Sequence, residues 1–264
     1  MDKKNRGWVM RQKKVPALSV IVPCYNEEKN VTEFSERALH ALKKNRVSCE
    51  IIFVDDGSRD GTAREIKGIA ERSVNARAVF HKRNRGISEA WKSGISASRS
   101  PVVCVTDADL QYLPEDIPKL YRTFLSCSAD IVQGWRSRKK GQKGVRWLMS
   151  RTMSHALNFL FGMRLKDNKS GFFVCKKETL SNVLNHKLKY MNFFLFITVA
   201  AKAHGYKIRE VKTHFARRKR GKSFIPLFPA SLVFWAAVDI AKAVLEYKIL
   251  RIKRIGRCNK QKSI

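Results

Sequence analysis

A chain of 264 residues is long enough for one large domain with a C-terminal appendage. Its 54 Lys+Arg against 22 Asp+Glu give a formal net charge of +32, which points to polyanionic company: nucleic acid, anionic lipid or phosphorylated substrates. The six cysteines (Cys24, Cys49, Cys104, Cys127, Cys175 and Cys258) contain no CxxC pair, which argues against a zinc site or disulfide framework and for a reducing compartment.

Residues 1–16 read as a basic tail; without an apolar stretch they are not a signal peptide, and the folded part is expected in the cytosol. Ala17 to Val22 is an apolar strand ended by Pro23, and Asn30 to Leu42 has helical spacing. Glu50 to Val54 is a second strand, Gly61 to Arg72 a helix, Ala76 to Phe80 a third strand, and Ile87 to Ser98 a helix of small residues. The β-branched run Pro101 to Thr106 is a buried parallel strand. From Pro114 the order is helix, strand Asp130 to Gly134, basic loop Arg136 to Arg146, helix Trp147 to Phe161, and a mixed segment Asp167 to Val174. Strands alternating with helices at short intervals indicate an α/β domain over 17–223, with a mainly parallel sheet wrapped by helices.

Residues 224–264 change character. Phe224 to Ala241 is apolar apart from Pro226, Pro229 and Asp239. Eighteen helical residues span roughly 27 Å, just short of a hydrocarbon core of about 30 Å. Asp239, Lys242, Glu246 and Lys253 follow helical spacing as one polar stripe, and Lys248, Arg251, Arg254 and Arg257 add charge suited to anionic headgroups. The expectation is an interfacial helix dipping into one leaflet, ahead of a short spanning anchor or a core helix.

Three strand ends carry the chemistry. Asp107-Ala108-Asp109-Leu110-Gln111 places two carboxylates and an amide at the C-terminal edge of a strand, where open α/β sheets bind ligands. Two carboxylates one residue apart can approach one hard divalent cation that bridges phosphates; a solvated acidic turn is the plainer alternative. Pro23-Cys24-Tyr25-Asn26-Glu27-Glu28 offers an aromatic to stack on a base and acids to accept hydrogen bonds, though Asn-Glu-Glu is also an ordinary helix start. Asp55-Asp56-Gly57-Ser58 can hold a base or ribose, or be a plain turn. None of the six histidines forms a spaced metal pair, and no Ser-His-Asp arrangement is readable.

Together, VPCYNEE, VDDGSRDGT, DADLQ and SGFFVCKK resemble family 2 glycosyltransferases of GT-A fold, nearest the dolichyl-phosphate mannose synthase-like branch with its bacterial polyprenyl-phosphate glycosyltransferases. The resemblance runs from about Leu18 to Phe224. It implies a Rossmann-like, mixed but mainly parallel sheet flanked by helices, with a membrane-associated C-terminal helical segment. It also implies inverting transfer of a sugar from a nucleotide-diphosphate donor (GDP-mannose or a UDP-sugar) to a dolichyl or undecaprenyl phosphate, with Mg²⁺ or Mn²⁺, at the cytoplasmic face of a membrane. By the same resemblance Pro23, Tyr25, Glu27 and Asp55 hold the nucleoside, and Asp107, Ala108, Asp109 and Gln111 the donor, with Asp107, Asp109 and Gln111 on the metal. Arg136, Arg151 and Ser154 resemble acceptor-phosphate contacts, which suits the bidentate fork of Arg. Arg218, Gly221 and Ser223 match an Arg-x-x-Gly-x-Ser loop that closes on the donor phosphates, so Asp107, Asp109 and Arg218 are the catalytic candidates. The branch also admits a membrane-anchoring partner subunit or a homo-oligomer.

The chain departs from the family pattern in places. Ser88 occupies a family glycine, Phe224 stands where a lysine commonly follows the Ser, and Phe196 replaces a frequent acidic residue. Where the acceptor is a hydroxyl, such an acid serves as general base; a lipid phosphate is already anionic and needs none. Transfer to a hydroxyl is thus the second reading. A nucleic-acid-binding protein is a distant third, because the acids converge where a nucleic-acid groove should repel them.

Overall fold

The structure is a computed structural model that describes residues 15–137, 145–216 and 230–250, without the side chains of 137, 145–150 and 230–233. Four apolar runs form the parallel half of the sheet: β1 (Leu18–Cys24), β2 (Cys49–Asp55), β3 (Ala76–Phe80) and β4 (Val102–Val105). β1 and β2 are buried almost throughout, as strands covered on both faces must be. Period-two alternation assigns their side chains. Leu18, Val20 and Val22 join one core with Phe34 of α1 (Val31–Lys44), Ile66 of α2 (Thr62–Arg72) and Leu120 of α4 (Ile117–Ser126). Ile21 points the other way, into a second core with Trp91 of α3 (Ile87–Ala97). Each such side chain fully withdrawn from water contributes about 1.5–3 kcal/mol.

The rest of the sheet is mixed. The strand order is β3-β2-β1-β4-β6-β5-β7, where β6 (Phe173–Lys176) runs antiparallel to both β4 and β5 (Ile131–Ser137), and β5 pairs in parallel with β7 (Ile208–His214). The chain leaves β1 for β2 on one side and later adds β4 on the other, so β1 and β4 flank a topological switch point. β5 extends through Arg136 to Ser137, into what the sequence reads as loop, because β7 pairs with it along its whole length. α5 (Val145–Phe161) follows, then α6 (Lys177–Leu184) and α7 (Ile197–Ala203). Phe193 and Phe196 are core residues, with Tyr190 packed on both.

The C-terminal helix differs from expectation in its orientation. α8 (Ala230–Val244) ends in a π-helical turn, Leu245–Ile249, and no helix among the described residues is long and apolar enough to cross a membrane. Asp239 and Glu246, expected on a stripe facing headgroups, are fully buried against the domain. Asp239 accepts the backbone N–H groups of Met191 (3.2 Å) and Asn192 (2.9 Å). Glu246 accepts those of Lys187 (2.6 Å) and Leu188 (3.2 Å) and the hydroxyl of Tyr190 (2.9 Å). The irregular segment 187–192 has donors that no strand satisfies, and the two carboxylates supply the acceptors. Ala243 and Tyr247 join the second core, while Phe234 (62% exposed), Trp235 (40%), Leu245, Ile249 and Leu250 face outward. Arg251, Lys253, Arg254 and Arg257 lie outside the described residues.

Candidate active site

The loops after β1 and β2 are laced together. Asn26 has φ +56°, a left-handed conformation that Asn tolerates. Its N–H donates to Ser58 Oγ (2.9 Å), and its Oδ1 accepts the N–H of Arg59 (2.8 Å). Glu27 N–H donates to Thr62 Oγ1 (2.8 Å), and Glu27 Oε2 accepts from Asn30 Nδ2 (2.6 Å). The N-cap of α1 is Asn30, so Asn26 shapes the loop and does not start the helix. Tyr25 stands 37% exposed above the strand ends, and Pro23 is half-buried at the end of β1.

The neighbouring aspartates of β2 divide their labour. Asp55 is buried and accepts the N–H of Ser58 (3.2 Å). Asp56 accepts from His81 Nδ1 (2.7 Å) and from the N–H groups of Arg85 (2.9 Å) and Gly86 (2.8 Å), and His81 Nε2 meets Ser93 Oγ at 2.9 Å. This Asp56–His81–Ser93 chain is a Ser-His-Asp arrangement that sequence spacing does not reveal. It ties the loop after β3 to α3 and to the end of β2. Gly57, at φ +71°, is required there, because a Cβ would lie 2.4 Å from the backbone carbon of Arg83.

The segment after β4 completes the edge. Leu110 takes φ +59°, an uncommon conformation for a branched side chain, and Asp109 Oδ1 accepts the N–H of Gln111 (3.0 Å). Gln111 is held in turn by the N–H of Ala216, which reaches its carbonyl at 2.8 Å. Ala108 is buried. The carboxylate of Asp107 lies over Gly171, where a Cβ would stand 3.4 Å from its Oδ2.

The three edges lie side by side, because β2, β1 and β4 are neighbours in the sheet. Burial pushes the Cys24 thiol well up, and the negative field of Glu27, Asp55, Asp107 and Asp60 pushes it further. Among the described residues no group of three or more His, Cys, Asp or Glu forms a metal centre. The donor set Asp107, Asp109 and Gln111 is all oxygen and short of a full shell. That fits a hard cation of the Mg²⁺ type, which takes few protein ligands and completes its coordination with water and phosphate.

Beyond this edge lies Arg136 on β5, largely buried. Its Nε and Nη2 donate to Asp167 Oδ2 (2.5 Å) and Oδ1 (2.7 Å), and its Cζ lies 5.4 Å from the centre of the Phe215 ring. Burial disfavours the ionised Asp167 carboxyl, but the hydrogen bonds and charge of Arg136 outweigh it and hold its pKa below the usual range. Next in sequence, Asn168 Nδ2 donates to the carbonyl of Ser154 on α5 (3.4 Å) and to Asn158 Oδ1 (3.0 Å). The turn 167–171 therefore touches Arg136, the backbone of Ser154 and Asp107 in succession. Arg151 is exposed on α5, with Nε 3.3 Å from His155 Nε2. Arg218, Gly221 and Ser223 lie outside the described residues.

The family model for glycosyl transferase family 2 matches residues 19–188, nearly the whole of this sheet edge. The chain belongs to that family. Among family 2 relatives, a dolichol-phosphate mannosyltransferase of Pyrococcus furiosus is 32% identical over 213 residues, covering 78% of this chain and 58% of that protein. An undecaprenyl-phosphate 4-deoxy-4-formamido-L-arabinose transferase of Pseudomonas fluorescens is 30% identical over 215 residues, covering 81% and 61%. The chain thus spans about three fifths of the length of these two. A dolichol-phosphate mannosyltransferase of Saccharomyces cerevisiae is 28% identical, with 78% of this chain and 79% of that one covered. Among solved structures, glucosyl-3-phosphoglycerate synthase of Mycobacterium tuberculosis with Mn²⁺, UDP and glucosyl-3-phosphoglycerate superposes with a TM-score of 0.63 at 21% identity, covering 88% and 80%. The fold is accordingly the mixed α/β, GT-A-like one, with a mainly parallel sheet flanked by helices.

Sequence reading of this family 2 site misses the partners of its polar groups. Asp167 is separated from Arg136 by 31 residues, and Gln133 and Glu210, which bind the same turn, carry no motif. The only signal is Ser170-Gly171-Phe172: Ser170 Oγ bonds the Gly134 carbonyl (2.5 Å) and meets Tyr112 OH (3.1 Å).

Proposed function

We propose that this family 2 protein is an inverting, metal-dependent glycosyltransferase that moves a sugar from a nucleotide-diphosphate donor to a polyprenyl phosphate. The observation that carries the reading is that Glu27, Asp55 and Asp107 stand at or just beyond the ends of three neighbouring strands, β1, β2 and β4. Such an edge offers Tyr25 for stacking on a base and Glu27 and Asp55 as acceptors for base or ribose donors. Asp107, Asp109 and Gln111 would hold Mg²⁺ or Mn²⁺ and the donor diphosphate. Such an ion, when bound, neutralises charge building on the departing nucleotide diphosphate. Arg136, Arg151 and Ser154 orient the acceptor phosphate, and Arg218 belongs to the loop that closes on the donor.

In this reading an acceptor phosphate oxygen attacks the anomeric carbon from the face opposite the diphosphate. The carbon–oxygen bond to the diphosphate breaks, and no proton has to move. Phe196 fits this scheme: it stands where an acid is frequent and is fully buried beside Tyr190, so it offers no base. The outward apolar residues of α8 and the basic excess support a location at the cytoplasmic face of a membrane, with 224–264 as the associating segment and 17–223 as the transferase domain. The test is a donor panel, GDP-mannose and UDP-sugars, with Mn²⁺ and undecaprenyl phosphate, reading lipid-linked sugar by mass. A lipid-phosphate product is expected; transfer only to hydroxyl acceptors, or no metal-dependent transfer, overturns the proposal.

A further inference from the structure

Arg136 and Asp107 share a small neighbourhood. Gly134, two residues before Arg136 and on the same face of β5, donates its N–H to the Phe172 carbonyl (2.8 Å). The adjacent Gly171 underlies the Asp107 carboxylate. Tyr112 bridges the same ground, with its hydroxyl on Ser170 and its ring centre 5.0 Å from that of Phe215, which also carries the Arg136 guanidinium. The turn 167–171 thus meets the Arg136 guanidinium at one end and the Asp107 carboxylate at the other. An arginine has about 2 kcal/mol of rotamer freedom to lose, so a cation this close to a candidate metal carboxylate has to be restrained to stay off it.

Asp167 supplies the restraint. It takes one N–H from Nε and one from Nη2 of Arg136, the strong bidentate geometry. Asp167 is itself fixed from behind: its N–H and that of Lys166 donate to Glu210 (2.9 and 2.8 Å), and its carbonyl accepts from Gln133 Nε2 (2.9 Å). A loop so tied cannot follow the arginine if it swings.

We infer that Asp167 is a positioning residue that holds Arg136 away from Asp107, so that the guanidinium does not compete with the divalent ion for that carboxylate. This rests on the reading of Asp107 as a metal ligand. It differs from a structural role for the 166–170 turn, because removing the arginine should cancel the harm of removing the aspartate.

The experiment measures calorimetric binding of UDP and of GDP, each with and without Mn²⁺, to the full chain. Asp167→Asn should weaken the Mn²⁺-dependent affinity about tenfold, a change of about 1.4 kcal/mol. The double variant Asp167→Asn/Arg136→Ala should return to within about twofold of wild type, as expected when the two residues are coupled. Glu210→Gln loosens the tie behind Asp167 but leaves its carboxylate on the guanidinium, so it should weaken the affinity less than Asp167→Asn does. Wild-type affinity in Asp167→Asn, a double variant as weak as the single one, or an equal loss in Glu210→Gln each overturns the positioning role alone. Unaltered Mn²⁺-dependent binding in Asp107→Ala, or none in the wild type with either nucleotide, overturns the metal reading and this inference with it.

Discussion

Truncating Glu246 to Ala tests why the C-terminal helix turns its acids inward. The carboxylate is fully buried and accepts three hydrogen bonds, from Lys187 N, Leu188 N and Tyr190 Oη. Lys187 is exposed, so its N–H can find water after truncation. Leu188 N–H is half-buried and the Tyr190 hydroxyl is buried, and each left without an acceptor costs about 1–3 kcal/mol. The expected loss is therefore about 2–6 kcal/mol, which lowers Tm by roughly 4–24 °C for a domain of this size. Thermal unfolding measures the shift, and hydrogen exchange at 187–190 should quicken before the sheet opens. A Tm change of under about 2 °C with exchange unaltered there would refute the account of α8 as a latch on this segment.

Three further outcomes are expected. Gly57→Ala should lower stability by at least about 1–3 kcal/mol from its positive φ alone, with the clash against Arg83 added, and equal urea midpoints would contradict this. Asp167 contributes stability that is present above the usual carboxylate range near pH 4 and is lost as pH falls through its depressed pKa, so Asp167→Asn should flatten the acid limb of the stability–pH curve. An acid limb identical to wild type counts against the Arg136 pairing. Replacing Phe234 and Trp235 by Ser should reduce co-sedimentation with anionic liposomes while leaving Tm nearly unchanged, since both are largely outside the core; undiminished sedimentation removes α8 as the docking surface.

The parallel half of the fold is legible because β1, β2 and β4 are buried on both faces and therefore read as unbroken apolar runs ending in polar loops. The mixed half is not. β7, Ile208–His214, is an edge strand whose Arg209, Lys212 and His214 are exposed without a period-two pattern, so its composition resembles a surface loop. α8 misleads for a related reason: helical spacing places Asp239, Lys242 and Glu246 on one face but is silent about which face is covered. Only the unsatisfied donors of 187–192 decide that. At the site, motif and position are enough to single out Tyr25, Asp55, Asp107 and Asp109 as candidates. The pairings between residues distant in sequence, Arg136 with Asp167 and Asp56 with His81, are not legible there.

The central claim is that carboxylates at the strand ends hold a divalent cation together with a nucleotide diphosphate. Asp109→Ala tests it most directly: calorimetric titration of UDP and GDP with and without Mn²⁺, beside wild type, on protein whose Tm is unchanged. The account predicts that Mn²⁺ strengthens binding of one nucleotide to the wild type and that the variant loses this enhancement. Equal Mn²⁺-dependent enhancement in both proteins would contradict it.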